Sequence, residues 1–275
     1  MSEPALLLEE LQHTFSRGTP NELRALDGVD LTMEERDFVL VVGANGSGKS
    51  TVLNAIAGTV IPDQGRVRIG GVDVTQWPES RRAALVGRVF QNPTSGTIGH
   101  LTIAENLAVA AKRGMRHGVL RNALGGGRRR ELAERVRELG LGLEDRLDTA
   151  VEALSGGQRQ ALTLLMATWV RPTILLLDEH TSALDPRSSE QMVQLTDGLV
   201  RSQGLTTLMV THSIAQAVGL GDRLLVMSRG RVVENIGGAR KRRLRVEDLL
   251  DTFDRLRSAD LVDESAAEMV RRLYI

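Results

Sequence analysis

A chain of 275 residues is long enough for one large domain carrying a substantial subdomain, and its 41% hydrophobic share is ample for a packed core. The 35 basic and 35 acidic side chains cancel, so no overall field draws the chain to nucleic acid or anionic lipid, and 3% aromatic residues leave few rings to stack on bases. With no cysteine the fold rests on neither disulfides nor thiolate metal sites, which fits a reducing cytoplasm; the acidic N-terminus and apolar runs far short of ~18 residues predict a chain neither secreted nor membrane-spanning.

In chain order, residues 5–15 read as a strand ending at Phe15, followed by a loop with the turn formers Gly18, Pro20 and Asn21. Asp27–Thr32 and Phe38–Val42 read as a second strand pair. The latter runs into Gly43-Ala44-Asn45-Gly46-Ser47-Gly48-Lys49-Ser50-Thr51 and a helix stopped by Gly58. Short strands are expected around Arg66–Ile69 and Val72–Val74, a short helix from Pro78-Glu79-Ser80, and an apolar strand over Val86–Phe90 ending at Gln91-Asn92-Pro93. Thr102 to Glu105 forms a capping box that opens a helix, and a second helix spans about Arg128–Leu139. Between them Lys112, Arg113, Arg116, Arg121 and Arg128–Arg130 surround Gly125-Gly126-Gly127, which reads as a basic, flexible surface loop. Leu154-Ser155-Gly156-Gly157-Gln158 opens a further helix to Val170. Strand Ile174–Leu177 follows, then a helix capped by Asp185 with Pro186 first, strands at Thr206–Val210, Leu224–Met227 and Arg231–Glu234, and a basic run (Arg240 to Arg245), read as a solvated surface, before two tail helices.

Three stretches carry chemistry. Gly43 to Thr51 fits GxxxxGK[ST] between a strand and a helix, the arrangement of a phosphate cradle. Glycines at 43, 46 and 48 let backbone N–H groups turn toward one anion, Lys49 would reach the β- and γ-phosphates, and the Ser50 hydroxyl would join the shell of a Mg²⁺ ion. Ile174 to Leu177 is wholly apolar and ends in Asp178-Glu179, which delivers two acids at the edge where α/β sheets place ligands. Asp178 is placed to hold the metal through water, and Glu179 to accept a proton from an attacking water. Ser155 with bare N–H groups at Gly156 and Gly157 makes a second anion site at a helix start.

The combination of the phosphate loop, LSGGQ and LLLDE resembles the ATP-binding cassette ATPases, the nucleotide-binding subunits of ABC transporters, over about residues 5–235. The resemblance implies an α/β P-loop (RecA-like) core with an antiparallel β subdomain and an inserted α-helical subdomain: residues 1–91 and 172–240 form the core, 92–171 the helical insertion and 241–275 a helical tail. It implies ATP and Mg²⁺ as ligands, Gln91 as a glutamine touching metal and water, Ser182 to Asp185 as an interface loop and His212 as a switch histidine on the γ-phosphate. It further implies a permease partner, a solute-binding protein and a head-to-tail homodimer, or a pair with a related cassette, on the cytoplasmic face of the membrane. Two departures stand out: His180 where most members have proline, and Phe15 where many have the tyrosine that stacks on adenine. Gly18 to Glu22, Glu179 to Ser182 and Leu165 to Thr168 also resemble a bacterial subfamily of importers of small organic solutes, aromatic amino acids being proposed for some. The rival function is a soluble cassette ATPase acting on ribosomes or DNA, with no nucleic-acid contact expected here because the net charge is zero and rings are few.

Overall fold

The computed structural model describes residues 3–114 and 126–256. Strands β1 (Leu6–Phe15) and β2 (Leu23–Met33) lead to β3 (Phe38–Gly43), which feeds helix α1 (Lys49–Ala57). Strands β4 (Gln64–Ile69) and β5 (Val72–Asp73), helix α2 (Glu79–Arg82) and strand β6 (Val86–Val89) follow. Helices α3 (Ile103–Ala110), α4 (Gly126–Arg137) and α5 (Gly156–Trp169) separate β6 from β7 (Ile174–Asp178). The chain then alternates through α6 (Pro186–Gln203), β8 (Thr207–Val210), α7 (Ile214–Gly219), β9 (Arg223–Ser228), β10 (Arg231–Gly237), α8 (Gly238–Arg242) and a helix α9 over residues 246–256. None of the described helices is long and apolar enough to cross a membrane.

Two sheets result: an antiparallel one in the order β2-β1-β4-β5, and a six-stranded one in the order β10-β9-β3-β8-β7-β6. In the second, β9, β3, β8, β7 and β6 run parallel and β10 closes one edge antiparallel to β9. The unbroken apolar runs of β3 and β7 reflect burial on both faces. Phe38, Leu40 and Val42 of β3 and Leu175 and Leu177 of β7 join the core shared with α3, α4, α5 and α6, while Val39 and Val41, with Ile174 and Leu176, face α1 and the antiparallel sheet. A side-chain period of two thus serves two cores at once.

Several expectations require correction. β2 and β3 are not a pair: β2 bonds to β1, and β3 enters the parallel sheet between β8 and β9, because only a strand apolar on both sides tolerates that position. Gly126 and Gly127 belong to α4 rather than to a loop. Arg113 is no surface cation, since its guanidinium donates to the Ala167 and Val170 carbonyls at the end of α5. Lys241, from the basic run expected to be solvated, is buried and donates at 2.8 Å to both the Val218 and Leu220 carbonyls at the end of α7. In each case a cation satisfies carbonyls that a helix end leaves without partners. The rest of the basic connection (115–125) and the second tail helix lie outside the described residues.

The same device appears at the end of α1. Arg82, 0% exposed, donates to the Ala55, Ile56, Trp77 and Thr75 carbonyls, binding α1 to the turn before α2. Burial lowers its pKa to about 10, so it stays charged at neutral pH. Replacing Arg82 by methionine fills much of the volume but abandons those acceptors. Urea unfolding should show a loss of roughly 3 kcal/mol, and a loss below about 1 kcal/mol would show that water satisfies the carbonyls equally well.

Candidate functional site

The six-stranded sheet brings its loops to one carboxyl edge. β3 ends at the phosphate loop, β8 beside it ends at Thr211-His212, and β7 on the far side of β8 ends at Asp178-Glu179. One cavity is lined by Asn45, Gly46, Gly48, Lys49, Ser50, Thr51, Glu179 and His212, with Phe15, Leu23 and Ala25 from the antiparallel sheet at its side. Phe15 remains 38% exposed, and His13 meets its ring edge-on at 4.5 Å. The ring therefore has a face available for a planar ligand.

The loop's glycines answer to close approaches. A Cβ on Gly43 would lie 2.3 Å from the Met227 carbonyl oxygen, and one on Gly48 would lie 2.5 Å from that of Ala25, at a φ of +101° that side chains rarely adopt. Gly230, in the β9–β10 turn, bonds through its N–H to the Ser47 carbonyl and through its carbonyl to the Asp27 N–H, fixing the loop to both sheets. Helix α1 starts without a side-chain cap or an acid in its first turn, which leaves its N-terminal N–H groups and dipole for an anion. The buried Lys49 ammonium donates at 2.9 Å to both the Gly43 and Ala44 carbonyls. Burial draws its pKa below the usual lysine range, while the Glu179 and Asp178 carboxylates pull it the other way.

Glu179 sits at a φ of +46°, uncommon for a residue with a side chain. Its N–H donates to the Val210 carbonyl, and its own carbonyl accepts from the Ser182 N–H and hydroxyl. The backbone is thereby held so that the Glu179 carboxylate lies 2.5 Å from the His212 Nε2. Gln216 brackets both loops: its Oε1 accepts from the Thr211 hydroxyl at 2.6 Å and its Nε2 donates to the Thr181 hydroxyl at 3.1 Å. Asp178 bonds at 3.1 Å to Arg88 of β6, which also reaches Asn54 of α1. Sequence reading missed Arg88, Asn54 and Gln216. The signal for Arg88 was available, since an arginine within the apolar stretch Val86–Phe90 has to find a partner.

The remaining expected residues do not meet in this cavity. Ser155 caps α5 in a reciprocal box with Gln158, so the Gln158 side chain folds back on the Ser155 N–H. Ser155, Gly157 and Gln158 line a separate cleft with Ser188 and Met192. Asp185 caps α6 by accepting from the Ser188 N–H, as its sequence position predicts. Gln91 lies exposed beyond β6. Among the described residues no group of three or more His, Cys, Asp or Glu side chains could hold a metal. A serine hydroxyl and a carboxylate beside a phosphate cradle are nevertheless hard oxygen donors that fit Mg²⁺, which keeps waters and takes the rest of its shell from nucleotide phosphates.

A strand, glycine loop and helix cradling phosphate, joined by two acids and a histidine at a parallel sheet edge, define a P-loop nucleoside triphosphatase. Residues 26–182 match the family model described as ABC transporter, and the chain belongs to that family as an ATP-binding, ATP-hydrolysing subunit. It is 38% identical over 259 residues to the tyrosine transport ATP-binding protein of Clostridioides difficile, an alignment covering 90% of this chain and 98% of that one. It is 35% identical over 239 residues to the energy-coupling factor transporter ATP-binding protein EcfA1 of Geobacillus kaustophilus, covering 85% and 78%. Among solved structures it resembles the dimeric, ADP- and Pi-bound post-hydrolysis cassette MJ0796, with 30% identity, a TM-score of 0.72, and 84% of this chain and 98% of that chain covered.

His180, the departure from the family pattern, is 1% exposed. Its Nε2 lies 3.0 Å from the Thr196 hydroxyl, whose proton is engaged by the Met192 carbonyl, so Nε2 is the protonated nitrogen. Burial lowers its pKa from 6.5 to about 4, and it stays neutral beside the site. In the unfolded chain the ring takes up its proton nearer pH 6.5, so its effect on stability is lost as the pH falls from about 6.5 toward 4, by roughly 3 kcal/mol in all. Urea unfolding at pH 7 and pH 4.5 should show a smaller acid loss for His180→Gln than for the wild type; equal losses would mean that His180 protonates in the folded protein.

Proposed function

We propose that the chain energises solute import through a separate membrane permease, on whose cytoplasmic side it sits, and that two copies complete two shared ATP sites. The observation that carries the reading is the separation within one chain of two anion-binding loops. The Lys49 loop opens on the cavity with Glu179 and His212, while the Ser155 loop faces another cleft. A head-to-tail pair would set one against the other. The dimeric state of the MJ0796 cassette supports the pairing, and relatives named as import or transport ATP-binding proteins support the permease. In this reading residues 1–91 and 172–240 are the catalytic core, 92–171 the helical subdomain and 241–275 the tail. The similarity to a tyrosine transport protein supports aromatic amino acids as the solute class, delivered by a solute-binding protein.

Mg²⁺, held by Ser50, Asp178 and Gln91, would neutralise charge on the phosphate oxygens. Lys49 exchanges its two backbone carbonyls for phosphate oxygens, and the N-terminal N–H groups of α1 bind the anion without reorganisation. Glu179 takes the proton of the attacking water. His212, already at the Glu179 carboxylate, orients on the γ-phosphate, and Phe15 offers its face to adenine. Across the interface Ser155 and the N–H groups of Gly156 and Gly157 stabilise the transferring phosphoryl charge, with Asp185 close to the junction.

Glu179→Gln should bind ATP normally and lose at least about 100-fold in turnover, trapping the closed dimer on size-exclusion chromatography. Wild-type turnover would remove Glu179 as the base. Lys49→Ala and Ser155→Arg should each be inactive alone, whereas a mixture with confirmed subunit exchange recovers ATPase activity from heterodimers holding one intact site. A mixture as inactive as its parents would count against the shared site. Cells carrying Lys49→Ala in place of the wild-type chain should lose energised tyrosine uptake, and unchanged uptake would point to another solute.

A further inference from the structure

Arg88 stands where three parts of the site converge. It lies in the edge strand β6, with 12% of its side chain exposed. One terminal nitrogen donates both to the Asp178 Oδ2 at 3.1 Å and to the Asn54 Oδ1 at 2.8 Å, which accounts for both its protons. The guanidinium carbon lies 4.7 Å from the ring centroid of Phe90, the residue before Gln91. Asn54 follows Ser50 by four positions in α1, so the two share one face of that helix, one turn apart. A single cation therefore ties the acid ending β7 to the helix face that presents Ser50.

We propose that Arg88 is a positioning residue for metal binding, fixing the Asp178 carboxylate against the Asn54 face of α1 so that its second oxygen is presented toward the Ser50 hydroxyl. The inference rests on the reading of Asp178 as a metal-facing acid. A carboxylate at a strand end otherwise rotates freely about its last torsions, and a charge-assisted bond from a half-buried arginine removes that freedom before the ion arrives. The cation–π contact with Phe90 holds the guanidinium from its other side and attaches the strand end leading to Gln91.

Charge and geometry predict opposite signs. As a bare positive charge beside Asp178, Arg88 repels Mg²⁺, and its removal would tighten metal binding. As a positioning group it helps, and its removal weakens metal binding.

The test is a binding titration of the full-length protein with a fluorescent ATP analogue, first in EDTA and then with increasing Mg²⁺. In EDTA, Arg88→Met should bind the analogue within about twofold of wild type, while its Mg²⁺ half-point rises about tenfold. Arg88→Lys keeps the charge without the planar fork, and Asn54→Ala removes the anchor on α1; each should raise the half-point about threefold. Asp178→Asn should raise it as well, and adding Arg88→Met to it should change little, because the two residues act as one unit.

An unchanged or lower half-point in Arg88→Met overturns the proposal, as does an equal loss of affinity in EDTA, which would mark a purely structural role. If Arg88→Met does not fold, Arg88→Lys and Asn54→Ala decide by the same criteria. Should Asp178→Asn leave the half-point where it was, the metal reading of Asp178 itself fails. If Asp178→Asn shifts it and Arg88→Met does not, only the role of Arg88 falls.

Discussion

The parallel sheet, buried on both faces, is the constraint on which the site depends. Parallel strands all end on the same side, and crossover helices must cover both faces, so loops far apart in sequence arrive together at one edge. Here β3, β8 and β7 are consecutive neighbours, and their ends carry the phosphate loop, His212, and Asp178 with Glu179. Loss of apolar character on either side of these strands would cost the register as well as core energy. Val39 and Val41 hold one layer while Phe38, Leu40 and Val42 hold the other. The antiparallel sheet packs on one of these layers and brings Phe15 to the mouth of the cavity.

The charges at that edge form a balanced set. The Lys49 ammonium rests on two carbonyls with two carboxylates nearby, Asp178 is held by Arg88, and Glu179 is held by His212. Each charged group has an opposite charge or a dipole within reach, so the site keeps its shape without a large penalty for buried charge. An entering polyanion can then exchange partners rather than build them. This is the meaning of preorganisation in a phosphate site.

Much of this was legible in the sequence because it is local. The phosphate loop, the acids after an apolar strand, the Thr102–Glu105 box and the Asp185-Pro186 helix start each lie within a few residues, where spacing and residue type decide the conformation. What stayed hidden is long-range. The Arg88–Asp178 bond spans 90 positions, the Gln216–Thr181 bond 35 and the Gln160–Phe90 bond 70. No periodicity reveals such partners. Arg113 and Lys241 were misread for a related reason, because basic residues near glycines resemble solvated loops until the helix ends they cap are placed in space. The β2–β3 error came from adjacency, since consecutive strands often pair but a sheet boundary fell between these two.

Helix α5 is anchored unequally along its length. At its C-terminal end Arg113 binds the Ala167 and Val170 carbonyls, while Arg135 donates to the Trp169 carbonyl and stacks on its ring. Near its start Gln160 donates to the carbonyl of Phe90, the last residue before Gln91. Its first residues and Ser155, by contrast, border an open cleft. With 14 residues the helix is about 21 Å long, so a swing of about 10° around the arginine end would carry Ser155 by nearly 4 Å. Gln160 is the point at which such a swing would meet Phe90, just past the end of β6. Mechanically the helix is a lever, held by two arginines at one end, joined to the strand end at Gln160 and open at Ser155, so a small displacement of the strand end would be multiplied at Ser155.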